Sequence, residues 1–533
     1  MIALKKKKEN KNKKILILSG TIFSINNILS IIKKYLTLEE MKSFFACNKF
    51  LNEYFRNSTT KLSPKGIISN PDMIKRFKNI KEIKFDFGWK CDLIFLNDTK
   101  NLEILELSGI MFKNIETIGV LDNLTKLVLI GNNLQDINFV SNLKKLNFLD
   151  IGNNQISDLT PLLNLNNLNS LSLQGCGIEN LSILNSKNFT KLEKLYIGQN
   201  YIADFSFLKN LQKLQVLNIY YIRGLININF LDYLNKDKLT ELNLGENNIV
   251  NFTPLNNFKY LSKLMLYNCG IDNINFLSNE SFANLEEIVL GDNKILDFSP
   301  LNNLTNLKKL NLHLCGIDNI EFLDDEKFYK IEYLDLSNNR IKECYFLYFY
   351  TKLKYLSLAN NFITNINWIK RCSDIEELNL SKNPIKDFSE LKNLKKIKSL
   401  NISQCSELEK ELDISFLSED NFKNLIELNI NTNNIKDIPE LKHLSKLEKL
   451  NISHNNIKSL EFLCNENSSL IELNFTDNEI SDFSALVSLD KLEVVYYGNQ
   501  KEELISLTTE MKQLNLDVIG GIGKNMRRCK TKK

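Results

Sequence analysis

One phrase returns about every 22 residues from Ile80 onward, and it limits what this chain can fold into more than any other feature. A clear copy reads Leu146-x-x-Leu149-x-Ile151-x-x-Asn154-x-Ile156-x-x-Leu159-x-x-Leu162. Copies open at residues 80, 102, 124, 146, 168, 192, 214, 239, 261, 285, 307, 331, 353, 375, 397, 425, 447, 470 and 492, which makes nineteen units between residues 80 and 500. The fourth and sixth residues of each unit are apolar and alternate with polar neighbours, the period of a short strand with one buried face. A unit this short cannot cover its own apolar side, so it must stack on the next one. Stacked strands from successive units run parallel. The expected fold is therefore an α/β solenoid, curved, with a parallel sheet on its concave face and a back of loops or 3-10 turns, because about ten residues leave little room for more. The asparagine in position nine sits where the chain leaves the strand, and its amide can satisfy backbone groups of neighbouring turns.

Asn fills position nine in eleven units and Cys fills it in four, at Cys176, Cys269, Cys315 and Cys405. The Cys units run to 24 or more residues, and the array reads as the product of duplicating a pair of about 46 residues. Cys as a small buried substitute for the ladder Asn is preferred over a metal or redox role. No CxxC pair is present, and His313, His443 and His454 stand in different units without ligand or triad partners, so neither a metal site nor a cofactor is expected. Scattered free thiols fit a reducing compartment.

On these motifs the sequence resembles the 22-residue class of leucine-rich repeats found in bacterial internalins and in the leucine-rich regulatory subunit of type-one protein phosphatase. The resemblance covers residues 80–500 and implies a horseshoe that binds other proteins. It names no partner, since this scaffold serves many targets.

Residues 15–79 precede the array and read as a small helical domain, with apolar residues at 25, 28, 29, 32, 35 and 36 and a capping box at Thr37 and Glu40. Tyr35-Leu36, Leu38 and Cys47-Asn48-Lys49-Phe50 are similar to features of an F-box, although Ile25-Asn26 stands where that family opens with Leu-Pro. The resemblance implies docking to the adaptor subunit of a cullin-type ubiquitin ligase through Ile28, Leu29, Ile32, Leu36 and Leu38. The competing reading is a cap that seals the first coil.

Outward-facing strand positions are the third, fifth and seventh, with the eighth at the rim. Most hold Asn, Ser, Glu or Lys. Between residues 196 and 355 they hold Tyr196, Val216, Tyr220, Tyr221, Met265, Tyr267, Val289, His313, Tyr333 and Tyr355 instead. Aromatic and Met residues on a face that could have been polar are the composition of protein-binding hot spots. A smaller group, Val128, Ile130 and Phe148, is expected to contact the N-terminal domain.

Net positive charge is concentrated at the ends. Residues 1–14 carry +6 and residues 524–533 another +6, out of a total of +4, so the body between them carries −8. Both basic tails are expected to be disordered, and a mildly acidic body is not the footprint of a nucleic-acid binder. No run of 18 apolar residues exists to span a membrane. Gly520-Gly521-Ile522-Gly523-Lys524 lacks both the first Gly and the Ser or Thr of a phosphate loop, and residues 501–523 read as a C-terminal cap with Leu504, Leu507, Met511 and Leu514 at helical spacing. No catalytic constellation emerges. The sequence points to a monomeric, cytoplasmic binding scaffold, with an F-box-type ligase adaptor as the leading form. A phosphatase-regulator-like scaffold and a secreted internalin-like adhesin are the alternatives.

Overall fold

Residues three to five of every repeat form a strand, and within each of two compact units each strand pairs in parallel with the same positions of the next. Leu149 lies opposite Leu171, and Leu171 opposite Leu195. This is the register that keeps every fourth and sixth residue on the buried side, because a slip of one would turn the whole apolar set to solvent. The computed structural model describes residues 15–18, 21–24, 61–62, 79–85, 90–324, 326–406, 410–463, 469–482, 484–489, 491–498, 516–519 and 527–531.

The chain divides into two compact units. The first comprises residues 1–225 with 229–238, the second 226–228 with 239–533. In the first unit the repeat strands run from Glu82–Phe85 to Val216–Asn218. One more parallel strand, Lys61–Leu62, pairs with Glu82–Phe85 and so lengthens the sheet ahead of the first recognisable repeat. In the second unit twelve strands run from Glu241–Asn243 to Val494–Tyr497. No α-helix occurs among the described residues. The back of each coil is a 3-10 turn such as Thr160–Asn164 or Ser299–Asn303.

Those turns have a common start. Asp204 and Asp297 accept the backbone N–H of Ser206 and Ser299 at 2.8 Å, and Asp387, Asp413 and Asp482 repeat the arrangement with Ser389, Ser415 and Ser484. That hydrogen bond holds the five carboxyls below the ordinary Asp range.

Position nine carries the stack. Asn339 accepts the backbone N–H of Cys315 and of Ile317 at 3.0 Å and donates to the carbonyls of Leu312, Leu336 and Ser337. One side chain thus closes five bonds across two repeats. Where Cys replaces Asn, the thiol of Cys176 donates to the Ile151 carbonyl at 3.2 Å and lies against the N–H groups of Asn153 and Asn154. Burial pushes the Cys176, Cys269, Cys315 and Cys405 thiols up to about 11. They stay protonated and remain donors.

The extra residues of the Cys repeats form a second 3-10 turn, at Lys187–Phe189, Glu280–Asn284, Glu326–Phe328 and Asp420–Asn424. Each adds a buried ring: Phe189, Phe282, Phe328 and Phe422.

Three expectations about the ends change. Ile15–Leu18 and Thr21–Ser24 form an antiparallel hairpin, so residues 15–79 are not helical throughout; Ile- and Leu-rich segments joined by two residues suit a hairpin better. Residues Leu516–Ile519, read as part of a helical cap, form a strand that pairs antiparallel with Arg527–Thr531. Arg527–Thr531, read as disordered tail, also pairs with Val494–Tyr497, which covers the edge of the last repeat strand. Residues 1–14, residues 25–57 of the segment expected to be helical, and the expected cap residues Leu504, Leu507, Met511 and Leu514 lie outside the described residues.

Candidate protein-binding face

The eighth residue of a repeat governs how the face ends. In all seventeen repeats opening from Leu102 to Leu470 it is left-handed, whether Gly131, Asn153, Lys382 or His454. Its N–H reaches the carbonyl of residue seven in the next repeat, as from Asn153 to Gln174 at 2.7 Å and from Asp292 to His313 at 2.7 Å. The conformation extends the backbone ladder beyond the strand and turns the side chain out at the rim. Tyr221 and Leu314 adopt it at φ 50° and 53° and stand 55% and 48% exposed. A left-handed backbone strains a non-Gly residue by about 1 kcal/mol.

In the first unit, Tyr196, Tyr220 and Tyr221 share the sheet face. The Tyr220 ring lies against Gly198, where any Cβ would collide with it. Gln174 donates its amide to the Tyr220 hydroxyl at 2.7 Å, two repeats away in sequence. The ring is thereby fixed flat across neighbouring strands. Val216, expected to be exposed, is 9% exposed and belongs to the packed surface. Val128 is buried as well, and Lys126 lies 4.9 Å over the Phe148 ring, so the small group with Ile130 is partly covered by its own neighbours.

In the second unit the same device recurs. The Tyr267 ring occupies the space over Gly245, and His313 sits beside Gly291. His313 Nδ1 is 2.9 Å from the Ser337 hydroxyl and 3.1 Å from the Asn338 amide nitrogen. Met265, Tyr267, Val289, His313, Tyr333 and Tyr355 are half-buried on five successive strands.

Four of them fall into two clusters, with Met265 and Val289 at position five between them. Tyr267 and His313 occupy position seven, while Tyr333 and Tyr355 occupy position three, about 13 Å away along the strand direction. Tyr333 and Tyr355 stack with ring centroids 4.1 Å apart and planes 7° from parallel. Burial first, then the neighbouring phenol and the Asp335 and Glu287 carboxylates, push the Tyr333 hydroxyl above the tyrosine range. Burial, with Asp335 and Glu377, does the same to Tyr355.

The alternation of Gly with a large side chain at position seven went unread in the sequence. The pairs Gly152 and Gln174, Gly198 and Tyr220, Gly245 and Tyr267, and Gly291 and His313 return at 46 or 47 residues. Leu314, at the rim beside His313, was also missed.

A family pattern described as Leucine Rich repeats (2 copies) matches residues 122–164, 330–371 and 423–465. The fold is that of a leucine-rich-repeat solenoid. Among solved structures, the mouse RP105/MD-1 complex matches at 19% identity over 82% of this chain and 90% of that one, with a TM-score of 0.52. The TLR13–ssRNA13 complex matches at 20% identity over 80% and 67%, with a TM-score of 0.56. An internalin of Listeria monocytogenes matches at 24% identity over 76% and 89%, with a TM-score of 0.32. No curated protein matches in sequence.

Leucine-rich-repeat proteins act as interaction scaffolds or receptors, and the fold is typically non-catalytic. No group of His, Cys, Asp and Glu able to hold a metal occurs among the described residues. No helix of the described residues is long and apolar enough to cross a membrane. The residues expected to contact a ligase adaptor, Ile28, Leu29, Ile32, Leu36 and Leu38, lie outside the described residues.

Proposed function

We propose that this chain is a non-catalytic scaffold that captures a protein ligand on the sheet face of its leucine-rich repeats. One observation carries the reading. The second unit places Met265, Tyr267, Val289, His313, Tyr333 and Tyr355 on outward positions of consecutive strands, whereas from Glu377 onward those positions hold Asn379, Asn401, Asn429, Asn451 and Asn474. Half-buried rings fixed by neighbouring glycines and stacked on each other are pre-organised, which lowers the cost of binding. In the first unit Tyr196, Tyr220 and Tyr221 form a comparable surface.

The finer proposal is a monomeric, cytoplasmic substrate receptor of a cullin-type ubiquitin ligase, docked through residues 24–57. Its support is the order of parts in the sequence, an F-box-like segment followed by repeats. Six buried free cysteines among the described residues add to it, because they suit a reducing compartment.

Affinity purification of the intact chain with mass spectrometry tests both levels. Tyr267→Ala with Tyr333→Ala should remove the ligand and retain the ligase adaptor. Leu36→Asp with Leu38→Asp should do the reverse. An unchanged set of partners in the first variant would refute the sheet-face reading. Absence of the adaptor from the wild-type eluate would refute the ligase reading and leave a phosphatase-regulator-like scaffold or a secreted adhesin.

A further inference from the structure

The back of the second unit departs from its own pattern at one repeat. Position fifteen opens the 3-10 turn and is small and polar in most repeats, as in Thr253, Ser299 and Ser389; position nineteen is Asn257, Asn303 and Asn393 in the same repeats. The asparagine folds back on its turn, Asn303 donating to the Pro300 carbonyl at 3.1 Å and Asn393 to that of Glu390 at 2.9 Å. In the repeat opening at Ile331 these two positions are Tyr345 and Phe349, 55% and 64% exposed. Phe349 cannot make the asparagine's bond. A duplicated array that replaces a stabilising polar residue with an exposed ring has gained nothing for its own packing.

The neighbouring repeats add to the patch. Tyr345 lies against Phe346 with centroids 4.1 Å apart, and Tyr348 meets Phe349 edge-on at 5.7 Å. Arg371 stands 4.4 Å over the Tyr348 ring. Lys352 and Lys330 stand 5.4 and 5.8 Å from the Tyr329 ring. No carboxylate of a described residue forms an ion pair with Arg371, Lys352 or Lys330; Lys330 donates only to the neutral Asn306 side chain at 2.6 Å.

We infer that this patch is a second docking surface, separate from the sheet face, and that it takes a short acidic segment of a partner protein carrying an aliphatic or aromatic anchor. The rings supply the apolar contact. Arg371, Lys352 and Lys330 supply charge complementarity to carboxylates, and the rings beside them hold them in place by cation–π contact. The patch spans three repeats, about 10 Å at the strand spacing, the footprint of a peptide rather than of a bilayer.

Selection from a random-peptide display library on the intact chain tests this, with Tyr345→Ser/Phe349→Asn as the comparison. That variant restores the residues other repeats carry and so should fold at least as well. Enriched peptides should be acidic with an apolar anchor. They should lose about tenfold or more in affinity for the variant, and again for Lys352→Glu/Arg371→Glu, while binding Tyr267→Ala/Tyr333→Ala unchanged. Enriched peptides without acidic bias, or with full affinity for Tyr345→Ser/Phe349→Asn, would overturn the inference. So would patch-dependent binding to phosphatidylserine vesicles without peptide binding, or patch-dependent self-association in sedimentation.

Discussion

Replacing Asn339 probes the bond that holds one repeat to the next. Its carboxamide closes five hydrogen bonds, two accepted from the Cys315 and Ile317 amides and three donated to carbonyls, and the residue is 6% exposed. In Asn339→Ala the two amides of the preceding repeat lose their acceptor and the carbonyls lose a shared donor. At about 1–3 kcal/mol for each buried group left unpaired, with relaxation recovering part, the loss should be about 3 kcal/mol. Asn339→Asp keeps the acceptor but turns a carboxylate toward three carbonyl oxygens, and should cost more than Ala. Asn339→Cys should cost least, about 1–2 kcal/mol, because a thiol occupies this place in four repeats and donates to the same carbonyl of the coil before, as Cys315 does to Leu290 at 3.4 Å. Repeat arrays unfold in parts, so a global transition would blur the ranking. Hydrogen exchange at the Cys315 and Ile317 amides reads it locally, with the alanine variant exchanging about a hundredfold faster. An Asp variant as stable as the Cys variant would refute the assigned roles of Oδ1 and Nδ2.

Gly245→Ala should displace the Tyr267 ring and cost about 1–3 kcal/mol by overpacking, and Tyr267→Ala in the same chain should recover most of it; a double-mutant cycle with no coupling would count against the fixed ring. Cys176, Cys269, Cys315, Cys344, Cys372 and Cys405 should resist alkylation at neutral pH until urea unfolds the chain, as site-resolved mass spectrometry would show. The thiols of Cys176, Cys269, Cys315 and Cys405 titrate near 11 folded against 9.0 ordinarily, so their contribution is complete below 9 and falls as pH rises to 11, by about 1.4 kcal/mol per thiol per pH unit. Asp204, Asp297 and Asp482 have folded values below the ordinary one, so their stabilisation holds above the ordinary range and is lost as pH falls through the folded values. Asn at all three, which keeps the acceptor without the charge, should flatten the acid limb of a stability curve.

The coil itself was legible because burial imposes period and spacing together: Leu149, Ile151 and Asn154 can repeat in this order only if each coil covers the next. The left-handed eighth residue left only a partial trace: Gly, Asn or Asp fills it in nine of the seventeen repeats, but Glu246, Leu314 and Thr432 adopt it too. The ladder of N–H groups to the next repeat imposes that conformation even on side chains that disfavour it, so composition carries the signal only in part. Tyr267 and Tyr333 could be placed on the outer face from strand alternation alone. Their separation into two clusters could not, because it depends on which strand position each occupies and on the glycine beneath Tyr267. Val216 was misjudged because an outward strand position need not be an exposed one: it is only 9% exposed. The ends were read least well. Hairpin and edge pairings there depend on contacts between segments rather than on a repeated local pattern.

Everything rests on parallel, in-register stacking, and engineered disulfides test it most directly. Glu427 and Lys449 are register partners on adjacent strands of the second unit. Cysteines at both places would have Cα atoms about 4.8 Å apart, within bonding geometry, whereas Glu427→Cys with Asn451→Cys would put them about 8 Å apart. Under mild oxidation the 427/449 pair should cross-link nearly completely while the chain stays folded, and the 427/451 pair should not. Equal cross-linking of both pairs, or efficient cross-linking of 427/451 alone, would contradict the register and the stacking with it.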